Sequence, residues 1–366
     1  MINSLLDLII NNTDKFGLCE DDKSIKYILN ICKYSIPANV TKKMIEDRIN
    51  KRKIYVKQLD KLLLIPKIEQ KSEAWYSFRH NMISASDFGA ALNNCKFGSQ
   101  KELIMKKCED YKVHSNVGQI EPFTWGIKYE PVACEIYSTR MNVKVHDFGV
   151  FQHPSYKFIG ASPDGISELG IMLELKCPYK RKIDGKIVEQ YYLQIQGQLE
   201  VCDLDECDFV EIDFKEYYCR QDFINDYDES QIYTKNNQEK GIIFEYVENN
   251  ENKYQYSPLN VHKNAILEWF KKTETLLNDD NIIYKVKYWY VSQYNSQRVY
   301  RDRDLFDEIV KNLETLWKKI LEYRNNKQLY NTEILGRRSK TVIDFTKPKR
   351  ETNLNLAKFS IVKENL

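Results

Sequence analysis

The chain has 366 residues, with 55 Lys and Arg against 53 Asp and Glu, a formal net charge of +2. A protein that coats nucleic acid through bulk charge would be far more basic, so any phosphate contact must come from a local patch. Hydrophobic residues at 42% and aromatics at 13% suffice for a real core, and no apolar run reaches the ~18 residues of a membrane span, which sets aside disordered, collagenous and membrane-spanning classes.

The first residues, Met1-Ile2-Asn3-Ser4-Leu5-Leu6-Asp7, lack a basic start and carry an early acid, so no signal peptide is expected. Residues 1–70 read as a helical N-terminal extension. Ile25, Ile28, Leu29 and Cys32, then Ile45 and Ile49, then Leu59, Leu62 and Leu63 fall at helical spacing, and Pro37 breaks the run. From Lys42 to Lys61 eight basic residues stand against three acids, a local +5 that suits a solvated helix face or a phosphate-facing one. Residues 72–110 look helical with a restart, where Ser84 and Ser86-Asp87 are candidate N-caps. Residues 124–139 predict a helix with Trp125, Tyr129, Ala133 and Ile136 on one face. Pro131 inside it implies a kink or a later start.

Strand signals follow. Residues 143–145 and 149–152 alternate, Phe158-Ile159-Gly160-Ala161 runs into a Pro-Asp-Gly turn, and residues 171–176 read as a further strand. Residues 189–201 predict a helix and 209–214 a strand. Helix, hairpin, strand, helix and strand in that order give an α/β (α+β) core, with a mixed sheet flanked by helices. Residues 216–257 are acidic, polar and Asn-rich, and are expected to be an insertion or loop. Residues 258–335 return to helical periodicity around an aromatic, strand-like stretch from Tyr284 to Tyr300. Residues 336–366 read as a basic, flexible tail. The nine cysteines are scattered, with no C-x-x-C, and point to reduced thiols rather than a disulfide framework. The five histidines form no zinc pattern.

The informative stretch is Ser162-Pro163-Asp164-Gly165 followed by Leu173-Glu174-Leu175-Lys176. Asp164 falls at a turn between strands. Glu174 and Lys176 are two apart on a strand and share a face, while Leu173 and Leu175 point to the core. A hairpin can bring Asp164 beside Glu174. Asp-Gly alone is commonly a tight turn, and Glu-x-Lys alone an exposed strand face. The pair, ten residues apart with apolar alternation between, is far more specific. Two close carboxylates repel unless a cation lies between them. A hard divalent ion answers that need, with Mg²⁺ the usual occupant and the main-chain carbonyl of Leu175 as a third oxygen. Lysine beside such an ion can deprotonate or orient a water, which is the chemistry of phosphodiester hydrolysis. Glu130 upstream is either a surface helix acid or a third carboxylate reaching the metal through water. Gln194 and Gln198 share a helix face, and suit either a polar surface or an amide that holds phosphate or water.

Four blocks now stand in order: Trp75-Tyr-Ser-Phe-Arg79 with Ile83-Ser-Ala-Ser86, Trp125-Gly-x-x-Tyr-Glu130, Ser162-Pro-Asp-Gly165 with Leu173-Glu-Leu-Lys-Cys-Pro178, and Gln194-Ile-Gln196. Together they resemble the lambda-exonuclease/YqaJ-type viral recombinase nucleases of the PD-(D/E)XK superfamily, over about residues 70–215. The resemblance implies a restriction-endonuclease-like core over residues 71–215, with helical N- and C-terminal additions like those of enzymes from large DNA viruses. It implies that Asp164, Glu174, the Leu175 carbonyl and Glu130 hold Mg²⁺, or Mn²⁺ in its place. Lys176 would act on the nucleophilic water and Gln194 on the scissile phosphate or water. Arg79, Ser86 and Ser162 would form a pocket for a terminal 5′-phosphate, joined by one basic residue of Lys180-Arg181-Lys182, with Arg181 taken as that residue. Arginine suits the task because its planar fork matches phosphate oxygens.

The reading that results is a Mg²⁺-dependent 5′→3′ exonuclease on linear double-stranded DNA ends, serving viral recombination, repair or genome processing. An endonuclease of the same superfamily and an inactive DNA-binding scaffold are its rivals. Expected partners are DNA ends, a single-strand annealing or recombination protein, and further copies of the chain. No membrane partner is expected, and the setting is soluble and intracellular: host cytoplasm, viral factory or nucleus.

Overall fold

The computed structural model describes residues 2–14, 22–35, 40–95, 98–110, 121–249, 251–280 and 282–336. The basic tail read from the sequence lies outside the described residues beyond position 336, as does Pro37. Three helices open the chain: α1 (Ile2–Asp14), α2 (Asp22–Ser35) and α3 (Lys42–Leu63). They bury a small core of their own, in which Leu6, Ile10, Ile25, Ile28 and Ile45 meet. Then come α4 (Glu73–His80), β1 (Ile83–Ser84), a 3-10 turn over Ala85–Asp87, α5 (Phe88–Ala91), α6 (Gln100–Cys108) and α7 (Glu121–Met141). Five strands follow: β2 (Val145–His146), β3 (Phe151–Gln152), β4 (Ile159–Ala161), β5 (Gly165–Ser167) and β6 (Met172–Lys176). The remainder is α8 (Glu189–Cys202), β7 (Glu206–Glu216), α9 (Arg220–Asn225), β8 (Lys240–Glu248), β9 (Glu251–Tyr256), α10 (Lys263–Asp279), β10 (Tyr284–Tyr300), α11 (Arg303–Asn325) and α12 (Lys327–Glu333).

The main sheet has seven strands in the order β2-β5-β6-β7-β10-β8-β9. The β6–β7 pair is parallel and its neighbours are antiparallel, so the sheet is mixed. A smaller sheet joins β1, β4 and β3. The mixed α/β class expected from the sequence is what the chain adopts.

Alternation along β6 decides what each face of the main sheet meets. Leu173 and Leu175 pack with Tyr129, Val132, Ala133 and Ile136 of α7. Met172 faces the other way, into the core that includes Leu193, Ile195 and Leu199 of α8. Glu174 shares the parity of Met172, so the fold drives a carboxylate toward α8. The close approach of α8 to the turn over Ala85–Asp87 and α5 needs a glycine. A Cβ on Gly197 would lie 2.5 Å from the Phe88 ring and 3.0 Å from Ala85.

Two expectations are corrected. The polar stretch 216–257 is not a loop, because α9, β8 and β9 lie within it. Its polar residues lie in α9 and β9 as well as in the connections, while Ile242, Ile243 and Phe244 of β8 are buried. Helix α7 also starts at Glu121, before residue 124, and carries Pro131 inside it, so the later start is not taken. An internal proline costs about 3 kcal/mol or more, and burial of Tyr129, Val132, Ala133, Ile136 and Tyr137 in the same helix offsets it.

Candidate active site

The hairpin of β5 and β6 builds the site. Its register pairs Ile166 with Met172 and Gly165 with Leu173. One step further along that register, Asp164 stands opposite Glu174. The Leu175 N–H donates to Asp164 Oδ2 at 2.7 Å, and the other carboxylate oxygen has no partner among the described residues. Glu174 is fully buried. Its two oxygens accept from Lys176 Nζ, from Gln194 Nε2 at 2.6 Å and from Gln198 Nε2 at 2.8 Å. A carboxylate offers about four lone-pair sites, so the set is not saturated. Lys176 Nζ also lies 5.1 Å from the Tyr191 ring centroid.

The electrostatics follow from this crowding. Burial, and then the negative charges of Glu174 and Glu130, hold the Asp164 carboxyl well above the usual carboxylate range. Burial alone would lower Lys176, but Glu174 and Asp164 outweigh it and keep the ammonium above its ordinary range. Glu130 comes from α7, on the sheet face opposite α8, and its charge also raises the thiols of Cys177 and Cys134 behind the effect of burial. Among the described residues no three His, Cys, Asp or Glu side chains close on one point to hold a metal. The donors present fit a hard divalent ion that keeps waters of its own, because Mg²⁺ is commonly held by one or two carboxylates. A free oxygen on Asp164, the Glu174 carboxylate and nearby negative charge supply that set. Gln198 Oε1, buried with no hydrogen-bond partner, adds an acceptor for a bound water.

A second cluster collects around Arg79. Its Nη2 donates to Ser84 Oγ at 3.0 Å and to Ser86 Oγ at 2.8 Å. The guanidinium lies 4.3 Å from the Trp75 ring centroid, and Trp75 Nε1 donates to Ser162 Oγ at 3.0 Å. Behind them Asp87 accepts from Ser84 Oγ at 2.8 Å. It also pairs with Lys107 at 3.0 Å and Lys106 at 3.4 Å. Burial would raise Asp87, but Lys107, Lys106 and Arg79 outweigh it and hold its carboxyl far below the usual range. Three cations against one carboxylate leave a formal +2 here, a setting that attracts an anion. The sequence reading brought Arg79, Ser86 and Ser162 together but gave Ser84 and Asp87 only capping roles. Those two do form a capping box.

Other positions fall differently. Arg181 donates to the buried Glu211 on β7, beside Lys176 in the strand register. Lys180 lies over the Tyr179 ring and Lys182 is exposed. Gln194 spends its amide on Glu174 rather than on open space. Arg48, counted in the basic stretch 42–61, is buried between Asp7 and Glu206. Lys107 and Arg324 were missed. Arg324 of α11 donates to the carbonyls of Lys107 at 2.7 Å and His80 at 2.8 Å, so it fastens α4 to α6 behind the Arg79 pocket. No sequence signal announces that contact, which spans more than 200 positions.

Residues 74–205 match the sequence model of the YqaJ-like viral recombinase domain. The chain is 29% identical to an uncharacterized protein of Acanthamoeba polyphaga mimivirus over 313 residues, 74% of this chain and 55% of that protein. It is 23% identical to a protein of African swine fever virus over 162 residues, 36% of this chain and 46% of that protein. The chain thus spans about half the length of the curated relatives it matches. Among solved structures, an alkaline exonuclease from Laribacter hongkongensis superposes with a TM-score of 0.42 at 17% identity, covering 72% of this chain and 100% of that one. A phage-related exonuclease from Haemophilus somnus gives 0.39 at 10% identity, covering 67% and 96%. No helix among the described residues is long and apolar enough to cross a membrane. The stretch similar to the YqaJ-like viral recombinase domain, residues 74–205, carries both the Asp164–Glu174–Lys176 cluster and the Arg79 pocket.

Proposed function

We propose that this chain is a Mg²⁺-dependent deoxyribonuclease, acting as a 5′→3′ exonuclease on linear double-stranded DNA ends in viral recombination, repair or genome processing. The observation that carries this reading is the pairing of two sites within one domain. Asp164, Glu174 and Lys176 converge at one hairpin end, and a cationic pocket around Arg79 is joined to the same loop through Trp75 and Ser162. A hydrolase that begins at a terminus needs both a cutting centre and a grip on the terminal phosphate.

Asp164, Glu174 and the Leu175 carbonyl would hold Mg²⁺, with Mn²⁺ a substitute and Glu130 acting through water. When bound, the ion would lower the pKa of a water and offset charge growing on the phosphate. The protein groups do the rest. Lys176 is paired with Glu174 at the same hairpin end, so it would act on the nucleophilic water or phosphate as a positioned cation. Gln194 and Gln198 fix Glu174 from α8. Arg79, Ser86 and Ser162 would take the 5′-phosphate, with Arg181 at the rim. The viral recombinase family supports a role at DNA ends, where a 3′ overhang is what an annealing or recombination protein requires. Oligomerisation of this chain and its intracellular site of action belong to the same reading.

Linear and closed circular duplexes of one sequence, incubated with Mg²⁺, test it. Release of nucleotides from the linear form alone is the expected result. Equal cutting of the circle would assign the chain to endonucleases, and binding with no release from either would make it a scaffold.

A further inference from the structure

A cavity of about 790 Å³ lies beside the active site and is built largely from elements beyond residue 205. Its walls are the first half of α7, the β8–β9 hairpin and the entry into β10. It adjoins the segment that follows β6. Tyr179, three residues past Lys176, packs on Trp125 with ring centroids 5.3 Å apart. Trp125 lines the cavity, and Glu130 follows it by five residues on the same helix.

The walls are aromatic and nearly neutral. Trp125, Tyr246, Tyr254 and Tyr284 face the space. Its lysines are largely spent on acids. Lys128 Nζ lies 2.6 Å from Glu216 and 2.8 Å from Glu245, and Lys287 Nζ lies 2.9 Å from Glu216. Lys285 is exposed and has no ion partner among the described residues. Val247 and Ile283 add exposed apolar surface to the lining, at 53% and 92% exposure. The Trp125 Nε1 is buried with no hydrogen-bond partner, a donor left without an acceptor.

A duplex presents phosphates and hides its bases, so it is a poor match for a neutral aromatic cleft. Unpaired bases are the reverse. Each offers a π-face to stack on tyrosine or tryptophan, and ring nitrogens and carbonyls that accept hydrogen bonds. A single free lysine suffices to meet one phosphate along the way.

We propose that this cleft binds the bases of single-stranded DNA, taking up the strand left unpaired as a linear duplex is digested. The inference rests on the nuclease reading above for the source of that strand, but the binding can be measured without catalysis. The probe is a fluorescently labelled twelve-nucleotide oligothymidylate, titrated with the full chain in EDTA and read by anisotropy. Tyr254→Ala should weaken binding about tenfold, within the range measured for losing one stacking platform. Lys285→Glu is an exposed change that leaves packing intact. It should weaken binding several-fold and flatten the salt dependence. No binding by the wild type, or wild-type affinity in both variants, would overturn the proposal. Nucleotide release by the wild type with Mg²⁺ is read in parallel. Release with unaltered oligothymidylate binding in both variants overturns the cleft and spares the nuclease. Binding lost in the variants with no release from any DNA supports the cleft and overturns the nuclease.

Discussion

Glu174 shows most clearly what the site asks of single residues. A fully buried carboxylate is expensive unless it is paired and hydrogen-bonded, and this one takes a lysine and two glutamine amides. The lysine was legible in the sequence, since alternation along residues 172–176 set Glu174 and Lys176 on one face, whereas Gln194 was expected on phosphate or water and not on Glu174. The Gln198 contact was visible only as a shared helix face, because nothing local says which way α8 turns toward β6. Arg79 was legible from its block, but the buried Asp87–Lys107 pair behind it was not, since long-range ion pairs leave no periodicity. With the guanidinium gone, Ser84 and Ser86 cannot replace its charge. Arg79→Ala should therefore lower the rate on 5′-phosphorylated ends by about 10²-fold, the scale of one lost charge-stabilising donor, and leave the slower rate on 5′-hydroxyl ends little changed. Rates on the two duplexes check this, and an equal loss on both would remove the pocket from the account.

At the scale of elements, distant segments hold the site in place. Helix α11 reaches the pocket through Arg324, which bonds carbonyls at the ends of α4 and α6. Arg324→Met should reduce the preference for 5′-phosphate ends by less than Arg79→Ala does, while keeping rates on 5′-hydroxyl ends. Competition between the two substrates reads that ratio. The N-terminal helices are joined to the sheet by a buried network. Arg48 bonds Asp7 and Glu206, and Arg298 bonds Asp7, Glu206 and Asp208. Removing one member strands the opposite charges, so Arg48→Met should destabilise by roughly 3–5 kcal/mol, seen as a lower thermal midpoint and early proteolysis of residues 1–40. The same network fixes a pH response. Burial would raise the Glu206 carboxyl, but Arg48 and Arg298 pull it down to about 2. A pKa below its unfolded value near roughly 4.3 stabilises the fold above that pH, and the gain fades as pH falls toward about 2. Melting temperatures between those limits should drop, and drop less in Glu206→Gln. The sequence announced the helices α1–α3 but not this seam, because Arg48 looks like one more surface base in a basic run. The reverse failure befell residues 240–256, where flanking Asn and Asp masked a buried strand.

Across the whole molecule the charge balance becomes intelligible. A net charge of +2 conceals segregation. Carboxylates gather at the end of the β5–β6 hairpin, cations surround the Arg79 pocket, and several other charges cancel inside buried pairs. On the proposed function, such a surface would bind DNA weakly in general and rely on ends and metal for selectivity. The strands beyond residue 205 extend the main sheet from three strands, β2 and the β5–β6 hairpin, to seven, and they supply most of the aromatic cleft beside it. The central claim is that Asp164 and Glu174 form a metal-dependent cutting centre that works from a DNA end. Nucleotide release from a 5′-phosphorylated linear duplex, by the wild type and by Asp164→Ala, each with Mg²⁺ or with EDTA, measures it directly. Release by the wild type with Mg²⁺ alone, and a fall of at least ~10²-fold in Asp164→Ala, is the predicted result. Release that survives EDTA, or an Asp164→Ala protein as active as the wild type, would contradict it.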